Sequence, residues 1–213
     1  SDLLWGQYGF AREIAAIFNR QLKQYQTVDL SAYSHLPPFA IEVESAEDCP
    51  CYSAIELKVS NNPPSPLFIQ GRLHALGLGS INALVDLTNY VQLELGQPTH
   101  AFDASGVQRI HVGCSGCPRK FTTLDGITWD LLPEDLLIFN GETPIALAGI
   151  MGGESSRIVD GTRRILLESA NFKGSRIRLT SVRLPLRTDA SLRFEKKLPP
   201  LFSKVAVGRI LHL

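Results

Sequence analysis

The stretch Pro144-Ile-Ala-Leu-Ala-Gly-Ile-Met-Gly-Gly153 decides how this chain is read, because it is uncharged, apolar and yet carries three glycines. A short apolar run flanked by Pro and Gly fits a strand covered on both faces, which places residues 145–148 in a core. Gly149, Gly152 and Gly153 admit positive φ and let another group approach the backbone. Such glycines serve either a tight turn leaving a core strand or the wall of a small pocket. A phosphate cradle is a poorer fit, since Glu154 comes next and no Lys or Ser/Thr completes a nucleotide-binding loop.

The segments on either side predict the partners of that strand. Residues 107–139 read as a meander of short strands, and Asp125-Gly126 between residues 119–124 and 127–132 is a strong hairpin signal. Residues 136–139 lead through Asn140-Gly141, a second turn, into the glycine-bearing stretch. Beyond a polar loop over residues 154–164, the run Ile165-Leu-Leu-Glu-Ser-Ala170 returns as an apolar strand interrupted by Glu168. A carboxylate in such a place is costly to bury without a donor, which marks Glu168 as a binding group. Residues 39–44 and 52–59 alternate apolar and polar positions as half-buried strands do.

Helices flank this β-rich region. Phe10, Ile14, Ile17, Phe18 and Leu22 lie at helical spacing opposite Arg12, Glu13, Arg20 and Lys23, and this apolar face needs cover from later parts of the chain or from a longer parent protein. The polar run ending in Pro37-Pro38 marks a boundary between residues 1–36, a helix and linker left from a preceding module, and a domain over residues 37–213. In Asn61-Asn62-Pro63-Pro64-Ser65-Pro66, Ser65 can cap a helix that ends at Gly77, with His74 favoured in its last turn by the helix dipole. A second helix runs from Ser80 with Ile81, Leu84, Val85, Thr88, Val91 and Leu95 on one stripe and Gly96 as its stop. Thr88 and Asn89 bring polar groups toward a core, and His100 follows in Gln97-Pro98-Thr99-His100. His100 alone fits a structural histidine as well as a catalytic one. Helices over residues 174–184, broken at Pro185, and 200–211 complete an α+β fold with a sandwich of mainly antiparallel strands and flanking helices.

Length and composition bound the function. The 213 residues bury one sizeable core, or one core with a small appendage. Hydrophobic residues make up 44% and charged residues 20%, an ordinary soluble composition. No apolar run approaches the ~20 residues of a membrane span and no signal-peptide pattern opens the sequence, so a cytoplasmic protein is expected. Net charge is zero but uneven, with 11 basic and 19 acidic residues over 1–172 against nine basic and two acidic over 173–204. That asymmetry offers a surface for a polyanion, or a solvated helix face. Cys49-Pro-Cys51 and Cys114-Ser-Gly-Cys117 mismatch a paired zinc site, so reduced cysteines and no metal are expected.

Several stretches together resemble the β subunit of bacterial phenylalanyl-tRNA synthetase. They are Tyr8-Gly-Phe-Ala-Arg-Glu13, Val85-Asp-Leu-Thr-Asn-Tyr-Val91, Leu93-Glu-Leu-Gly-Gln-Pro-Thr-His-Ala-Phe-Asp103, Leu124-Asp-Gly126, Ala146-Leu-Ala-Gly-Ile-Met-Gly-Gly-Glu154, Leu167-Glu-Ser-Ala170 and Leu186-Arg-Thr-Asp-Ala-Ser-Leu-Arg-Phe-Glu195. The resemblance covers nearly the whole chain and points to the editing domain, which hydrolyses tyrosine mischarged onto phenylalanine tRNA. It implies a pocket formed by Thr88, Asn89, Gly149, Gly152 and Ala190 as binding residues, with His100, Glu168 and Thr188 as the catalytic set. Glu168 would accept the tyrosine hydroxyl, and His100 would hold the water or the ester end. The implied partners are the 3′ end of tRNA(Phe) and a synthetase α subunit in a heterotetramer. ATP and Mg would belong to a synthetic site outside this chain, and no cofactor is implied within it. One departure stands after Phe194-Glu195, where the family carries Arg-Gly and this sequence has Lys196-Lys197-Leu198-Pro199-Pro200.

Overall fold

A computed structural model describes residues 4–60, 63–159 and 161–213. Asn61 and Asn62 of the predicted helix entry, and Asp160 of the predicted polar loop, lie outside the described residues.

The strands are β1 (Ile41–Val43), β2 (Cys51–Lys58), β3 (His100–Asp103), β4 (Ile110–Cys114), β5 (Arg119–Thr122), β6 (Thr128–Leu131), β7 (Leu136–Asn140), β8 (Thr143–Leu147), β9 (Met151–Gly152) and β10 (Arg164–Asn171). They form a five-stranded sheet in the order β1-β4-β7-β8-β9, a three-stranded sheet in the order β2-β10-β3, and the hairpin β5-β6. β1 runs parallel to β4, while the other pairings among the described residues are antiparallel. The helices are α1 (Gln7–Ile17), α2 (Leu67–Ala75), α3 (Ala83–Leu95), α4 (Gly174–Arg183), α5 (Asp189–Phe194) and α6 (Leu201–His212).

β10 is the spine of the molecule. From Ile165 onward every residue of it is buried, as a central strand covered on both faces requires. Alternation along the strand divides two cores. Leu166 and Ala170 face the first core with Phe102, Ile138 and Leu147, so the two larger sheets pack as the predicted sandwich. Leu167 faces the second core with Val91 and Leu95 of α3, Val207 and Ile210 of α6, and Ile69 and Leu73 of α2.

Local chemistry sets several boundaries differently from the sequence reading. α3 starts at Ala83 rather than Ser80, because the Asn82 carboxamide accepts from the Val85 N–H at 3.0 Å and caps the helix. Ser65 does not cap α2; its hydroxyl donates instead to Asp86 at 2.6 Å, and Pro66 holds the cap position. α5 is a helix that hydrophobic periodicity did not reveal, since it has only six residues and is defined by its cap. α1 stops at Ile17, leaving Leu22 outside it, and its apolar face stays open, with Ile17 75% and Phe18 68% exposed. What holds α1 is a close backbone approach: a Cβ on Gly6 would lie 2.3 Å from the Leu95 carbonyl carbon.

Candidate functional site

The glycine-bearing stretch folds as a tight hairpin, β8 followed by a turn and β9, with Ala146 opposite Gly152 and Leu147 opposite Met151. Its three glycines do different work. Gly149 has φ +66°, and a Cβ there would lie 3.0 Å from Phe172, Ile177 and Phe194, so it makes the turn inside the first core. A Cβ on Gly153 would lie 2.7 Å from the Phe121 ring, which seats the β5-β6 hairpin. A Cβ on Gly152 would lie 2.6 Å from Nε2 of His100, so the bare backbone there makes room for the imidazole. The stretch is therefore both turn and wall.

Behind that wall is a cavity of about 70 Å³ lined by His100, Glu168, Gly149, Gly152 and Ala190, together with Pro98, Thr99, Ile138, Ala146, Leu147, Ile150, Met151 and Phe194. Two of the predicted catalytic residues and three of the predicted binding residues thus come together. The cause is strand register. Glu168 of β10 pairs directly with His100 of β3, and directly opposed residues of antiparallel strands share a face.

Burial sets the electrostatics. Removal from water pushes the Glu168 carboxyl up to about 8, with the nearby Tyr52 hydroxyl pulling the other way. The same cause pushes His100 down to about 4, so its imidazole is neutral at pH 7. His100 packs edge-on against Phe102, ring centroids 4.5 Å apart, which fixes the plane of the ring. The site therefore pairs a protonated carboxyl with a neutral imidazole, both against an apolar wall.

The remaining predicted site residues lie elsewhere. Thr88 and Asn89 sit on α3, which packs on the opposite face of the three-stranded sheet, and the Thr88 hydroxyl donates back to the Val85 carbonyl at 2.8 Å. Thr188 does not line the cavity. It caps α5, its oxygen accepting from the Ser191 N–H at 3.1 Å while its O–H donates to the Ile150 carbonyl at 2.8 Å. Thr188 thereby ties α5 to the turn of the glycine hairpin and holds Ala190 and Phe194 over the cavity.

Thr99 was missed in the sequence. It lines the cavity, and its hydroxyl is buried with no hydrogen-bond partner among the described residues. Its signal was position, a polar side chain wedged between Pro98 and His100.

The basic run is mostly spent internally. Arg176 meets Asp48 at 3.1 Å, Arg193 meets Asp189 at 3.1 Å, Arg183 pairs with Asp135, Arg187 with Glu195 and Lys173 with Glu47. Lys173, Arg176 and Arg183 thus tie the basic segment to the acidic loops before β2 and β7, while Arg187 and Arg193 pair within the segment itself. Among the described residues no three His, Cys, Asp or Glu side chains gather to hold a metal, and no helix is long and apolar enough to cross a membrane.

Comparison with known proteins gives the family. The profile of the B3/4 domain matches residues 48–213. The phenylalanine–tRNA ligase beta subunit of Solibacter usitatus (strain Ellin6076) is 42% identical over 212 residues, which is 99% of this chain and 27% of that protein. That of Staphylococcus aureus (strain USA300) is 42% identical over 211 residues, 96% of this chain and 26% of that protein. An N-terminal fragment of the phenylalanyl-tRNA synthetase beta subunit from Pyrococcus horikoshii superposes with a TM-score of 0.47 at 13% identity, over 91% of this chain and 57% of that one. The chain spans about a quarter of the length of the curated relatives it matches. Its motifs and its matched span agree: the chain belongs to the B3/4 domain family.

Proposed function

We propose that this chain is the editing part of a phenylalanine–tRNA ligase beta subunit and that its cavity hydrolyses the ester of tyrosine mischarged onto tRNA(Phe). The observation that carries the reading is Glu168, a carboxyl 6% exposed at the wall of an apolar cavity and directly opposite His100. Tyrosine and phenylalanine differ by one hydroxyl. A site built to hydrogen-bond that hydroxyl rejects the analogue lacking it by up to ~10⁴-fold, because the buried acceptor is otherwise left unpaired. Glu168 is the selecting group, and the apolar wall around Gly149, Ile138 and Phe194 takes the ring.

The cavity has to grow to take a ring, since about 150 Å³ holds benzene and the space here is about 70 Å³. Met151, unbranched and flexible, is the wall best able to move. The ester end then lies toward His100 and Thr99. A water attacks the carbonyl carbon, the bond to the ribose oxygen of the terminal nucleotide breaks, the water's proton passes to that oxygen to restore the ribose hydroxyl, and tyrosine leaves with the new carboxyl. An imidazole held near 4 is a weak base at neutral pH, so His100 orients the water through a hydrogen bond more than it removes a proton. Thr188 acts through the wall it holds, while Thr88 and Asn89, on the opposite face of the sheet, do not reach the cavity. The reaction needs no cofactor from this chain; ATP and Mg belong to the ligation site elsewhere in the enzyme. The partners are the 3′ end of tRNA(Phe) and the alpha subunit of a cytoplasmic heterotetramer.

The test is deacylation of preformed tyrosyl-tRNA(Phe) by the complete ligase and by its His100→Ala variant. Hydrolysis by the native enzyme that drops at least tenfold in the variant supports a hydrolytic site. Tight tRNA binding without hydrolysis, equal in both, would leave a docking module and end the proposal.

A further inference from the structure

A second polar group stands beside Glu168 on the same face of the sheet. On β2, Tyr52 pairs with Ala170 and Ala54 pairs with Glu168, so Tyr52 and Glu168 are diagonal neighbours on one face of the sheet, within reach for a side chain of that length. The Tyr52 hydroxyl is sealed from solvent and makes no hydrogen bond of ordinary geometry among the described residues, yet it lies near enough to Glu168 for each to act on the other's ionisation. Tyr52 does not line the cavity, so its hydroxyl reaches Glu168 from beside the cavity and not across it. A buried donor left unspent needs a reason.

Three titratable groups face Glu168. They are Tyr52 on β2, Cys49 just before β2, and His100 on β3, while α3 and α6 pack against the other face. The Cys49 thiol, pushed up to about 12 by burial first and by Glu168 second, stays neutral and points its hydrogen at the Cys51 carbonyl, 3.6 Å away. His100 is neutral and borders the cavity. Burial and the neighbouring carboxyl push the Tyr52 phenol well above its ordinary value, so it keeps its proton throughout the working range. Tyr52 is thus an O–H donor always available to Glu168.

We propose that Tyr52 is a positioning residue of the selective site: its hydroxyl donates to one oxygen of Glu168 while the other oxygen accepts the phenol of the substrate. Once ionised, a carboxylate in a closed apolar cavity needs such a second donor, because the substrate satisfies only one of its oxygens. The direction of the electrostatics agrees, since Tyr52 opposes the upward push of burial on Glu168. This inference rests on the editing reading of the cavity.

The experiment is the pH profile of kcat/KM for tyrosyl-tRNA(Phe) hydrolysis by the complete ligase, native, Tyr52→Phe and Glu168→Ala. The native enzyme should show a limb near pH 8, the ionisation of Glu168 in the free enzyme. In Tyr52→Phe that limb moves up by about one unit, so the rate at pH 7 falls roughly tenfold and recovers at higher pH. Tyr52→Phe keeps the ring and hence the packing; a carbon-13 titration of the Glu168 carboxyl in substrate-free protein, moving by the same amount, checks the shift without catalysis. A limb that stays in place, with rates unchanged or lowered equally at every pH, overturns the role of Tyr52. If Glu168→Ala also removes tyrosyl selectivity, the editing reading survives that result; if Glu168→Ala leaves selectivity intact, both fall.

Discussion

Glu168 and His100 stand directly opposite each other on β10 and β3, and burial moves their ionisations in opposite directions, to about 8 and about 4. The pair leaves a mark on stability that needs no substrate. Between pH 4 and 6.5 the unfolded His binds a proton that the folded His refuses, so its contribution to stability rises with pH. From pH 4.5 to 8 the folded Glu168 holds a proton that the unfolded chain has lost, so its contribution falls with pH. The two nearly cancel up to pH 6.5, and above it only the Glu168 loss remains. Denaturant titrations should therefore show stability falling between pH 6.5 and 8 by an amount on the order of a few kcal/mol. Glu168→Gln should remove that fall and uncover the rise below pH 6.5; the same fall in the variant would show that another group causes it.

Gly152 and Gly149 should separate function from stability. A Cβ on Gly152 meets the end of the His100 side chain, which can swing away. Gly152→Ala should keep its stability within about 1 kcal/mol of the native value yet lower tyrosyl-tRNA hydrolysis at least tenfold. Gly149→Ala combines a left-handed backbone with contact against three core side chains, and should cost about 1–2 kcal/mol or more in denaturant unfolding. Equal losses of stability in the two variants would contradict these roles.

The loops before α3 hang on Asp86, which is fully buried and accepts from the Ser65 hydroxyl at 2.6 Å, the Ile81 N–H at 2.8 Å and the Ser80 hydroxyl. Burial pushes this carboxyl up, but the donors at Ile81, Ser65 and Ser80 outweigh it and hold it below the usual range. Asp86→Ala should destabilise by about 2–4 kcal/mol, because it strands several buried donors, and Ser65→Ala by about 1 kcal/mol. If Ser65 served mainly as a helix cap, Ser65→Asp would preserve stability; facing Asp86, it should instead be the worse variant.

The fold was legible where one physical rule dominated. Asp125-Gly126 made its hairpin, with Gly126 at φ +79°, and the apolar run around Glu168 became the doubly covered central strand. Less legible were features decided by side-chain competition across the fold. Ser65 has the chemistry of a cap, but Asp86, 21 residues away, takes its hydrogen. In α5 a Thr-Ser capping box replaced the hydrophobic periodicity by which helices are recognised.

The site divides the same way. Glu168 stood out as a charge in an apolar strand, and Gly152 as one of three glycines suited to a turn or a pocket wall. Which face of the sheet each residue occupies was not legible, because it depends on strand register. That is why Thr88 and Asn89, polar positions on an apolar stripe, lie across the sheet from the cavity. For the same reason Tyr52, ordinary as a strand aromatic, lies beside Glu168 on the same face.

The central claim is that Glu168 selects tyrosine by accepting its hydroxyl. The most direct measurement is the ratio of kcat/KM for tyrosyl- over phenylalanyl-tRNA(Phe) hydrolysis by the complete ligase, native and Glu168→Ala. The account predicts that the ratio falls by about a hundredfold or more toward unity, since the variant has neither an acceptor to reward the hydroxyl nor an unpaired one to punish its absence. A ratio that stays at its native value in Glu168→Ala contradicts it.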